Sequence, residues 1–252
     1  MEPSHIFTKM IRLAEALRPA KAWRPAKPRS ALVRHLSAGL LVAAVATMTT
    51  KAEAQEHEFQ SWSAAFTQWS VGEKVEFWFD GHARRRSASS LFVVRPAIGY
   101  RLLHNLKVHA GYAWVPTVPD VGSLANEHRI WQQVLWTPTV DGGFAFALRP
   151  RLEQRFSDAG GDVGHRARLF ARASFQPRAA AVMLVAWDEA FLQLGDTDWG
   201  ASGGFDQNRL FVGVGFPSQS GVRFEVGYLN ALLNREPQEI AHVLAINGFF
   251  AR

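Results

Sequence analysis

The chain has 252 residues, no cysteine, and a formal net charge of +6. The missing cysteines exclude a disulfide scaffold, a thiolate metal site and a cysteine nucleophile. The basic balance points first to a polyanion partner, but nine Lys or Arg against three Glu lie before Gln55, and the remainder carries nineteen basic and nineteen acidic residues. The part after Ala54 is formally neutral, so no nucleic-acid partner is expected.

The first element is an address. Leu36 to Met48 is an apolar run too short for a spanning helix, which needs about 20 residues. It follows Arg29 and Arg34 and precedes Ala52-Glu53-Ala54. A basic flank, a short apolar core and an A-x-A exit form a signal peptide, with cleavage expected after Ala54. Residues 1–54 are therefore read as an N-terminal extension plus signal, and 55–252 as one domain.

From Glu56 onward apolar residues recur at period two, the spacing of strands. Candidate strands cover about 57–69, 74–84, 91–103, 106–115, 127–137, 144–156, 166–173, 180–190, 205–216, 221–229 and 239–250. On 144–156, Phe144, Phe146, Leu148, Pro150 and Leu152 share one face, opposite Arg149, Arg151, Glu153 and Arg155. On 74–84, Val75, Phe77 and Phe79 oppose Lys74, Glu76, Asp80, His82 and Arg84, with Trp78 the exception. Such lengths, about ten residues, suit a tilted strand crossing a bilayer. Aromatics at expected strand ends (Trp69, Tyr100, Trp114, Trp136, Trp187) resemble interfacial girdles. Connections are expected to alternate short with long. The expected fold is an all-β, closed, antiparallel transmembrane β-barrel of about 10–12 strands, since an open edge has no hydrogen-bond partner in lipid. An even strand number favours ten strands from 74–84 onward, with 57–69 an extra segment in or below the lumen. A twelve-stranded barrel is the runner-up.

Several strings occur together: His128-Arg129-Ile130-Trp131-Gln132-Gln133, Arg149-Pro150-Arg151-Leu152-Glu153-Gln154-Arg155-Phe156, Arg166-Ala167-Arg168, Asp188-Glu189, Phe205-Asp206-Gln207-Asn208-Arg209 and Gly227-Tyr228-Leu229-Asn230. In this order they resemble the bacterial family known as domain of unknown function 2490, which is grouped with outer-membrane barrels. The resemblance covers about 57–250. It implies a fold and an address, the outer membrane of a Gram-negative bacterium, but no mechanism. One departure is that Phe249-Phe250 is followed by Ala251-Arg252, whereas such barrels often end on an aromatic residue.

On strands, Glu127, Arg129, Arg149, Arg151, Glu153, Arg155, Arg166, Arg168, Glu189, Arg209 and Glu225 would point inward as a lumen charge network. Two readings stand: a basic-leaning lumen that selects a small anionic solute, or ion pairs that fill a narrow barrel. Other expected partners are outer-membrane lipid and, during insertion, the barrel-assembly machinery. No catalytic residue is assigned. His82, His109, His128, His165 and His242 meet no serine motif, and Asp188 and Glu189, being neighbours on a strand, face opposite ways. No metal or cofactor is expected either, because Glu76 and His82 lie about 20 Å apart along a strand. The alternatives to a pore or structural barrel are a soluble periplasmic lipocalin-like barrel with an apolar ligand inside, and a lipid-modifying barrel enzyme.

Overall fold

The computed structural model describes residues 55–178, 180–217 and 221–251. The expected signal segment, 1–54, lies outside them.

Eleven strands form one closed wall: β1 (Gln55–Val71), β2 (Val75–Arg85), β3 (Ser89–Leu103), β4 (Leu106–Pro119), β5 (Ala125–Trp136), β6 (Phe144–Ser157), β7 (Val163–Phe175), β8 (Met183–Gln193), β9 (Gly204–Pro217), β10 (Val222–Leu233) and β11 (Gln238–Ala251). Each neighbouring pair is antiparallel except β1 and β11, which run parallel from Gln55↔Gln238 to Gln68↔Ala251. This corrects the ten-strand arrangement. The segment expected outside the wall is its first strand, paired with β2 from Ser61↔Arg85 to Val71↔Val75. The physical reason is edge satisfaction: without β1, the ladders of β2 and β11 would each end in a row of unpaired N–H and C=O groups. An odd number of up-and-down strands can close only if one pair is parallel.

Two further expectations are corrected. Connections do not alternate short with long: they run from two to seven residues at the rim carrying Val71 and Val75, and from three to ten at the other. The strands extend into segments such as 116–119 and 230–233 that read as loops, because ladder bonds outweigh the turn propensity of Pro116 and Asn230. Trp187 is not in a girdle. It shares alternation with Glu189 and therefore points inward, where it stacks on Phe211 with centroids 5.3 Å apart.

Period two sorts the side chains into two environments. Outward stand large apolar groups, among them Ile98 (59 % exposed), Leu184 (57 %), Val212 (58 %) and Leu244 (57 %). Inward stand charged groups, with Asp80, Glu153 and Glu225 at most 1 % exposed. Two apolar clusters share the interior. One joins Met183, Val185, Phe211, Leu229, Ala231, Ala241, Val243 and Ala245 across β8–β11. The other joins Trp78, Val93, Ala97, Ala113, Val115 and Trp131 across β2–β5. Glycines in β9 and β10 make the first cluster fit: a Cβ at Gly213 or Gly227 would lie 2.6 or 2.7 Å from the Phe211 ring.

Candidate functional site: the charged lumen

The inward face of β5–β9 is the most charged surface of the barrel, and strand register builds it. Glu153 of β6 stands opposite Arg166 of β7, and Arg151 opposite Arg168. Directly opposed and diagonal side chains on one face reach each other across a strand pair. Glu153 accordingly accepts Arg166 at 2.7 Å and Arg168 at 2.5 Å, with Arg151 at 3.6 Å. Arg168 continues the chain to Glu189 of β8 at 2.7 Å, and Arg149 reaches the same carboxylate at 3.3 Å. Arg151 also donates to Gln133 at 2.6 Å and lies over Trp131.

Nearer the other rim, Glu127 collects Arg129 at 2.7 Å and Arg155 at 2.6 Å. Glu225 stands apart from these groups and takes Arg172 through both oxygens, at 2.9 and 2.6 Å, with Arg223 at 2.9 Å. Arg209 is the one member of the expected set without a carboxylate at ion-pair distance among the described residues. It donates to Gln207 and lies over Trp62 and Phe191.

Sequence reasoning left several lumen groups out of that set. Arg95 donates to Asp80 at 2.8 Å, and Asp80 also accepts the Trp78 indole N–H at 2.8 Å. Lys107 and His109 both meet Glu76, at 2.5 and 2.7 Å. Arg84 rests on Trp62, with its Nε unbonded. The signal for Arg95 was its phase with Val93 and Ala97, which β3 conceals by being apolar on both faces. Asp188 and Glu189 do face opposite ways: Asp188 accepts Asn208 at 3.0 Å on the outer wall.

These groups leave a cavity of about 650 Å³ in the lumen, walled by Arg84, Arg129, Arg168 and Arg209 together with Trp62 and Trp187. Guanidiniums hold charge at all physiological pH and present forked donors, the chemistry that binds oxyanions.

A closed wall with large apolar groups outside and ion pairs within defines an inside-out β-barrel, the class to which this molecule belongs. The chain belongs to the DUF2490 family, described as proteins of unknown function, whose model matches residues 59–240. It is 32 % identical to an uncharacterized protein of Methylorubrum extorquens over 228 residues, which cover 86 % of this chain and 99 % of that one. Among solved structures it is similar to LpxR from Salmonella typhimurium, with a TM-score of 0.46 and 8 % identity over 69 % of this chain and 83 % of that one.

Proposed function

We propose that the protein is an outer-membrane β-barrel of a Gram-negative bacterium whose narrow, arginine-rich lumen binds and guides small anions. The observation that carries the membrane reading is the inversion of the wall. In water, a belt of residues such as Ile98, Leu184, Val212 and Leu244 would form an exposed apolar surface far larger than soluble monomers carry. In a bilayer the same belt meets acyl chains, while the charges avoid lipid. Polar groups on the outer wall support this reading by pairing with one another, as Asp188 does with Asn208 and Tyr228 with His242 at 2.6 Å. Lipid is then the wall's principal partner, export rests on the signal ending at Ala54, and insertion draws on the assembly machinery. The lipocalin-like alternative requires the opposite assignment of faces.

The anion reading rests on the two cavity-lining arginines that, among the described residues, have no carboxylate at ion-pair distance, Arg84 and Arg209. A second reading, a structural barrel plugged by ion pairs, draws on the interlocked layer around Glu153 and Glu189. One experiment addresses both the membrane and the pore. Protein from the outer-membrane fraction is run unboiled and boiled in SDS, then placed in a planar bilayer under a salt gradient. A faster unboiled band with a reversal potential favouring chloride supports the proposal. Recovery in the soluble extract with no shift in mobility would overturn the membrane reading, and a folded band without conductance would favour the plugged barrel.

A further inference from the structure

Trp62 stands where two unlike halves of the lumen meet. It is paired in register with Arg84 on β2 and with Ala245 on β11. Its indole carries the Arg84 guanidinium 4.1 Å from the ring centroid and the Arg209 guanidinium at 5.0 Å. Among the described residues neither cation has a carboxylate at ion-pair distance; Arg209 donates only to Gln207, and Arg84 Nε is unbonded. The indole also packs against the apolar cluster of β8–β11. One continuous cavity is walled by Trp62, Arg84 and Arg209 together with Trp187 and Leu233, which pack on that cluster and keep part of their surface open.

The two halves make different demands. Stacking on an aromatic face attracts a guanidinium but leaves its N–H edge without acceptors. A carboxylate, sulfonate or phosphate monoester supplies those acceptors in pairs. A bare inorganic anion would satisfy the arginines and leave the apolar wall in contact with water; a hydrocarbon would do the reverse. A ligand with an oxyanion head and a short apolar body serves both. The volume, about 650 Å³, lies within the range of about 300–1,000 Å³ typical of small-molecule sites.

We propose that the lumen holds an amphipathic anion, its head between Arg84 and Arg209 and its alkyl or aryl body along Trp187 and Leu233. The inference rests on the anion-binding reading above and narrows it to a ligand class.

The test uses the full barrel in phosphatidylcholine nanodiscs, titrated with 2-bromooctanoate, whose bromine lies beside the carboxylate and quenches indole fluorescence on contact. 2-Bromooctan-1-ol supplies the body without the head, and inorganic phosphate the head without the body. The expected result is saturable quenching by the acid, at least tenfold tighter than by the alcohol, displaced by octanoate and not by equal phosphate. Trp62→Phe, which keeps a ring beneath both cations, removes the largest part of that quenching. Arg84→Gln and Arg209→Gln, tested singly in protein that still shows the folded gel band, each weaken binding severalfold. Equal, non-saturating quenching by acid and alcohol would mean partition into lipid and overturn the proposal. Displacement by phosphate as effective as by octanoate would also overturn it, while leaving an anion-binding lumen intact. Absence of both displacement and chloride selectivity would remove that broader reading too.

Discussion

Arg172 and Glu225 form a two-oxygen ion pair, at 2.9 and 2.6 Å, between β7 and β10, strands that share no edge. The pair bridges the inner surface over β8 and β9, so it ties together parts of the wall that ladder bonds do not join directly. Glu225 is 1 % exposed and also holds Arg223 at 2.9 Å. Removing one partner of a buried pair strands the other charge, which costs about 3–5 kcal/mol in dry interiors and less in a wet lumen. Glu225→Gln strands two guanidiniums, whereas Arg172→Gln leaves Glu225 with Arg223. The glutamate variant is therefore expected to lose more stability, read as the temperature at which the unboiled gel band disappears. A larger loss in Arg172→Gln would show that the bridge does not centre on the carboxylate.

Gly213 and Gly227 face each other in register on β9 and β10, and Phe211 lies across both. A side chain at Gly213 would meet the Val226 carbonyl oxygen as well as that ring, so the ring and the β10 backbone must both shift, and overpacking of this kind costs about 1–3 kcal/mol. Gly213→Val is expected to lower the urea midpoint for refolding into bilayers. Shrinking the ring at the same time, in Gly213→Val with Phe211→Ala, should cost less than the two single changes added, since residues in contact couple. Strict additivity would mean that the glycine gap does not exist for Phe211.

The barrel was legible in the sequence wherever one face was uniformly apolar and the other charged, as on β6 and β7. Alternation there placed Arg149, Arg151, Glu153 and Arg155 on one face of β6 and Arg166 and Arg168 on one face of β7. It failed at two kinds of place. On β3 both faces are apolar, so the phase of Arg95 carried little contrast and its partnership with Asp80 was missed. On β1 the outward row is Ser61, Ser63, Ala65 and Thr67, which reads as a segment outside a membrane wall. Only long-range pairing with β11, more than 180 positions away, places it. Parallel closure leaves no local signal, because the pattern of a strand does not record the direction of its neighbour. Trp187 failed for another reason: its residue type suggested an interface, while its spacing from Glu189 already required the lumen.

If lipid meets the outer wall, charge there is costly. Val212 is 58 % exposed on β9, between Leu210 and Val214 on the same face. Arginine at the middle of such a wall costs about 2–4 kcal/mol of insertion free energy. Val212→Arg is expected to lower the folded yield in phosphatidylcholine vesicles, whereas Asp188→Leu combined with Asn208→Leu, which removes a mutually paired polar couple from the same wall, should leave yield unchanged or raise it. Normal folding of Val212→Arg, together with better solubility without detergent, would reverse the assignment of faces.

At the rim opposite Val71 and Val75, the connections 158–162 and 194–203 clasp one another. Asp198 accepts the backbone N–H of Gly161 at 2.8 Å and that of Asp162 at 3.1 Å, while Asp162 accepts the Asp198 N–H at 2.8 Å. The Trp199 indole donates to the Asp162 carbonyl at 2.8 Å and lies 4.9 Å from the Arg155 guanidinium, at the mouth of the lumen. Hydrogen bonds from Gly161 and Asp162 hold the Asp198 carboxyl below its ordinary value, because both donors favour the charged form. A depressed carboxyl contributes stability that is complete above its unfolded pKa, about 3.9 for aspartate, and is lost as pH falls through the lower folded value. The clasp should therefore be insensitive to pH from neutrality down to mild acid and loosen only below the ordinary carboxylate range. Amide hydrogen exchange at Gly161 and Asp162, corrected for the intrinsic pH dependence of exchange, is expected to show constant protection down to that range and a loss beneath it. Asp198→Asn should show reduced protection at neutral pH, with Trp199 fluorescence more open to an aqueous quencher. Protection that falls instead near pH 6 would point to a histidine as the controlling group and break the assignment to Asp198.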